Sequence, residues 1–247
     1  MTALATDARA LLGLFERLPG PLSIGWLMLG LVGGWWLYVP IHELLHVAGC
    51  VLAGGTVSRL EIDAIYGGAL LAEVFPFVVS GSAYAGRLTG FDTGGSDLVY
   101  QACVLMPYLL TIFPGYWLWQ KALATEHPGR PSMLAAGGLL PVVAAPLISL
   151  TGDYYESASI IVSSLFAAAA DRPLEAWRSD DVFRLVGDWS QAWTVADVAA
   201  IAGGLVLSLL LALATMQLGS MLGHRLNRTR RGPGAAAEPV NAQEDAA

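Results

Sequence analysis

The sequence predicts a mainly α-helical, polytopic membrane protein with about four transmembrane helices and a β-hairpin after the first of them. Three observations predict it. Of 247 residues, 55% are apolar and only 13% charged, against the roughly 25% charged residues of an ordinary soluble domain. Charge-free runs separate Arg17 from Glu43, Asp97 from Lys121, Arg130 from Asp153 and Asp197 from Arg225. Each run is longer than the roughly 20 residues a helix needs to cross the hydrocarbon core. Finally, the one clear period-two pattern lies in the segment that follows the first run. The same composition excludes a disordered chain, and 20 acidic against 13 basic residues leave no basic face for nucleic acid.

Taken in order, residues 1–20 place Leu11, Leu12, Leu14, Phe15 and Leu18 at helical spacing among Asp7, Arg9, Glu16 and Arg17. There is no basic start, apolar run and small-residue cleavage site, so the segment reads as an interfacial amphipathic helix rather than a secretory signal. The spans are expected at about 23–48, 98–119, 132–152 and 196–222. The apolar stretch Ser157–Ala170 is too short to cross and suits a re-entrant or interfacial segment, or a buried helix. After the first span, Leu60, Ile62 and Ala64 alternate with Arg59, Glu61 and Asp63, which marks a half-buried strand. Gly67-Gly68 is read as its turn and Ala69–Phe75 as the second strand of a hairpin. Gly81, Gly86, Gly90, Gly94 and Gly95 then suggest an irregular loop. Residues 1–222 are expected to form a single membrane-embedded domain, followed at 223–247 by a basic and then disordered tail.

Orientation follows from basic residues near span ends. Arg9 and Arg17, then Lys121 and Arg130, then Arg225, Arg228, Arg230 and Arg231 fall on one side of a four-span chain. The loops 56–97 and 153–195 are acid-leaning. Both termini are therefore expected in the cytoplasm, with the chain in a cell inner membrane. Cys50 and Cys103 lie inside apolar runs and read as small core residues, not as a disulfide framework.

The chemistry is carried by His42-Glu43-Leu44-Leu45-His46 in the first span. Residues four apart stand on one helical face, so both imidazoles can reach one metal, while Glu43 can reach a water on it. Zinc lowers the pKa of bound water to about 7, and a neighbouring carboxylate can take its proton. Ionisable groups at membrane depth are costly unless paired, hydrated or metal-bound; the bland alternative here is a hydrogen-bonded polar knot between helices. A catalytic zinc usually has a third protein ligand. Topology brings Asp153, at the outer end of the third span, level with His46, and Glu156 one turn further on is the alternative. The other reading of Asp153 is an interfacial charge that only ends the span. His127 and His224 fall at the opposite ends of their spans and read as solvated.

His-Glu-Leu-Leu-His within a transmembrane helix, followed by Ala48-Gly49 and a predicted hairpin, resembles the site-2 protease family of intramembrane zinc metalloproteases. The resemblance covers mainly residues 36–80, and weakly 138–160. It implies a third ligand from an aspartate in a later span, here Asp153, with Pro141 and Pro146 upstream. The family's Leu-Asp-Gly and its Asn are absent, since this chain reads Thr-Gly-Asp-Tyr. The implied activity is hydrolysis of peptide bonds in a membrane-associated protein substrate, with zinc as cofactor and Glu43 as catalytic base. Two other classes fit the same residues: a non-proteolytic membrane zinc hydrolase acting on a lipid or small amide, and a non-enzymatic membrane protein with a degenerate metal site.

Overall fold

The computed structural model describes residues 2–18 and 20–229. Four helical stretches in it are long and apolar enough to cross a membrane: 21–52, 97–123, 130–166 and 195–229. Each contains one of the expected spans and overruns it at the ends. The second and third are broken. α4 (Asp97–Leu105) is separated from α5 (Tyr116–Leu123) by a tight turn at Met106–Tyr108 and a kink at Phe113 and Pro114. α6 (Arg130–Ile148) gives way at Ser149–Gly152 to α7 (Asp153–Phe166). The 157–170 stretch is thus largely the buried-helix alternative, a continuation of the third span with Tyr155, Ala158 and Ile160 inside.

α1 (Ala3–Glu16) begins at Thr2, whose side chain accepts from the Ala5 amide. Its amphipathic pattern has a clear consequence: Leu14 is fully buried while Leu12 and Phe15 face outward. Asp7, also buried, accepts from Gln120 at 3.1 Å and from the Ser220 hydroxyl at 2.5 Å. The Arg17 guanidinium donates to the carbonyls of Leu123 and Thr125, filling acceptors that the end of α5 leaves open. These contacts gather the N-terminal helix, the 121–130 link and the end of α9 (Val195–Thr229) at one end of the molecule. They are the three basic places that the sequence assigns to one side. His224, expected to be solvated, instead lies 2.9 Å from the Asp7 carboxylate; His127 is exposed. α9 runs seven residues past the expected span end, so the basic segment 223–229 is helical. The remainder of the expected tail lies outside the described residues.

α2 (Pro21–Leu52) and α6 pack with their backbones in contact. A Cβ at Gly34 would overlap the main chain of Gly138, and one at Gly137 would overlap the Leu27 carbonyl. Small residues at such a seam let two membrane helices approach closely.

Beyond α2 the chain leaves the bundle for a three-stranded sheet, and here the sequence expectation is corrected. β1 (Thr56–Ile62) forms as predicted, with Leu60 and Ile62 fully buried. Ala69–Phe75 is not its partner: after Gly67 turns the chain at φ 81°, Gly68–Val74 forms a short helix, α3. The reason is compositional. Ala-Leu-Leu-Ala-Glu consists of good helix formers with no β-branched residue before Val74. The partners of β1 come later: β2 (Val78–Ser80) pairs in parallel and β3 (Gly86–Asp92) antiparallel, in the order β2-β1-β3. β3 occupies the segment read as an irregular glycine loop, and its pairing slips at Arg59–Gly90, as glycine in a strand often allows. Trp36 Nε1 donates to the Ile65 carbonyl at 2.6 Å and Trp35 Nε1 to the Tyr66 hydroxyl, tying the sheet back to α2. A last short helix, α8 (Val182–Gly187), lies in the loop before α9.

Candidate metal centre

His42 and His46 come from successive turns of α2, and Asp153 from the first residue of α7. The break at Ser149–Gly152 is what delivers Asp153. It opens a helix N-terminus inside the molecule, where the exposed amide ends favour a carboxylate. His42 Nε2 lies 3.0 Å from His46 Nε2 and 3.1 Å from Asp153 Oδ2, and His46 Nε2 lies 3.6 Å from the same oxygen. Ligands about 2.0–2.1 Å from a tetrahedral ion stand roughly 3.3 Å apart. The three separations straddle that figure, so the donor set fits a metal ion: two imidazole nitrogens and one carboxylate oxygen could hold it together.

Each of the three donors is held from behind. Tyr38, one turn before His42 on α2, places its hydroxyl 2.7 Å from His42 Nδ1. The Cys103 carbonyl on α4 lies 2.9 Å from His46 Nδ1. His46 donates to that carbonyl, and with Nε2 offered to a metal the His42 proton would sit on Nδ1 and be donated to the tyrosine oxygen. The Tyr108 hydroxyl donates to Asp153 Oδ2 at 2.6 Å. Sequence reasoning missed these supports. Tyr38 had a findable signal, being four residues before a ligand on the same face, whereas Tyr108 and the Cys103 carbonyl had none.

Glu43 is buried beside the triad, outside the donor group. Its side chain lies directly against the backbone of β3, since a Cβ on Gly86 would overlap it. Glu156 is also outside the group: Tyr100 donates to it at 2.6 Å. Both carboxylates line a cavity of about 630 Å³ whose floor is the triad and one wall of which is β3.

The segment between α7 and α9 roofs this cavity. Arg87 of β3 makes a two-pronged pair with Asp180 at 2.5 and 3.0 Å, and the Tyr84 hydroxyl donates to Asp181 at 3.0 Å. Burial works against the Arg87 charge, but the bonds and charge of Asp180 outweigh it and hold the guanidinium above its ordinary value. Burial likewise pushes the Asp181 carboxyl up, yet bonds from the Arg184 amide, the Tyr84 hydroxyl and the Phe183 amide hold it below the usual carboxylate value. Both groups therefore stay charged at neutral pH.

Compared with known proteins, the chain matches no protein-family model, no curated protein and no solved structure.

Proposed function

We propose that the chain is a membrane-embedded zinc metalloprotease, a divergent relative of the site-2 protease family, which hydrolyses peptide bonds of a membrane-associated protein. One observation carries this reading: two histidines and an aspartate from separate helices converge at ligand spacing, with a buried, unliganded glutamate beside them on a cavity wall. His42, His46 and Asp153 would hold the ion. A zinc ion there supplies a Lewis acid that acidifies water and polarises a carbonyl. Glu43 takes the proton of the attacking water and passes it to the leaving amine.

A helical substrate must unwind before its peptide bonds can be attacked, and an unwound segment needs hydrogen-bond partners in an apolar medium. The edge of β3 supplies them. Its far side pairs with β1, and its near side runs along the cavity over Glu43. An extended segment added there as a strand lies with its backbone beside the catalytic carboxylate. Sequence pattern alone puts such an edge on a hairpin at 57–75.

The test uses detergent-purified protein prepared without chelators, assayed for zinc and for cleavage of a transmembrane peptide. The expected result is one zinc per chain, with Glu43→Gln retaining the metal and losing about 10²–10⁴-fold in rate. Absence of zinc, or Glu43→Gln activity within about tenfold of wild type, overturns the reading. Zinc-dependent turnover of a lipid or small amide without peptide cleavage favours the non-proteolytic hydrolase.

A further inference from the structure

The bond from His46 to the Cys103 carbonyl is not the only place where α2 meets α4 closely. At Gly49 the two backbones touch, so that a Cβ there would overlap the Ala102 carbonyl. The next residue on each helix is a cysteine. Cys50 and Cys103 are both free and buried. A second line of geometry agrees. Gly55 sits where a Cβ would meet both the Cys50 sulfur and the Val99 side chain, and Cys103 stands one turn from Val99 on the same face of α4. Cys50 lies in the last turn of α2, whose final residues Val51 and Leu52 are exposed. Local opening of that turn would give a small oxidant access to its sulfur.

We propose that Cys50 and Cys103 are a disulfide-forming pair that cross-links α2 to α4 one turn beyond the metal centre. The oxidant is a small-molecule disulfide, such as oxidised glutathione. The Cys50 thiolate attacks one sulfur of it and displaces one glutathione thiolate, leaving a mixed disulfide. The Cys103 thiolate then attacks Cys50 and displaces the second glutathione. Two protein thiols lose two electrons, and the oxidant leaves as two thiols carrying the two protons. The bond fixes Cys103, whose carbonyl accepts from His46, to the helix that carries His46. The cross-link therefore joins a metal ligand's support to the ligand's own helix. It stands independently of any hydrolytic activity.

The experiment incubates the purified full chain with reduced or oxidised glutathione, denatures it, alkylates it with N-ethylmaleimide and measures the intact mass. The expected result is two adducts on the reduced chain and none on the oxidised one, with the protein still monomeric on a non-reducing gel. Cys50→Ala should keep one alkylatable thiol under both conditions, Cys103→Ala should stop at the unresolved Cys50–glutathione mixed disulfide in oxidised glutathione, and only the wild type should melt at higher temperature after oxidation. Two adducts after oxidation, glutathione remaining attached to the wild type, or loss of thiols through cross-linked dimers would each overturn the proposal.

Discussion

At the scale of single residues, Asp153 and Glu156 differ in which turn of α7 faces α2. Asp153 opens the helix and meets both histidines, while Glu156 has rotated toward Tyr100 on α4. Asp153→Asn is therefore expected to lower zinc affinity by more than about 100-fold, beyond the 10–100-fold typical of outer-shell changes. Glu156→Gln should leave zinc content near wild type; competition with a metal-sensitive dye reads both. The two histidines and Glu43 were legible because a helix converts sequence spacing into a common face. Asp153 was legible through topology and through the aspartate that the resemblance implies, although the residues around it depart from that family's pattern. The supports contributed by Tyr108 and the Cys103 carbonyl depend on how α4 packs, and residue spacing carries no trace of that.

At the scale of elements, spans were the easier reading. A charge-free run of more than 20 residues has few physical solutions in a bilayer, so four were expected and four long apolar helices are found. The sheet was harder. A short apolar run such as 69–75 fits a strand or a helix by pattern alone, and helix-forming residues decided it. β3 was hidden for the opposite reason, because its glycines look like loop signals. Among them, Gly86 leaves room for the Glu43 side chain against the strand. Gly86→Ala should push that carboxylate out of place, so the variant is expected to retain zinc while losing at least about tenfold in peptide cleavage. Normal activity in Gly86→Ala would remove β3 from the neighbourhood of the reaction. Such a result would leave the metal centre untouched.

At the scale of the whole molecule, the two ends differ in chemistry. One end gathers α1, the 121–130 link and the last turns of α9; the other carries the sheet and the acid-leaning roof over the cavity. Reporter fusions at the C-terminal end and in the 189–194 loop are expected to report opposite sides of the membrane, with the former cytoplasmic. The same side for both would mean that α9 does not cross. The glycine contact between α2 and α6 has its own consequence. α2 carries both histidines and α6 leads directly into Asp153, so a seam with no spare space acts as a fixed jig for the donor atoms. Organisation of the three donors is then completed during folding, and little ordering would be left for an ion to impose. Gly34 lies two turns from His42 and contributes no donor. Even so, if the group holds zinc as proposed, Gly34→Ala should weaken its binding by about tenfold with helicity preserved, because the affinity of such a site depends partly on preorganised backbone.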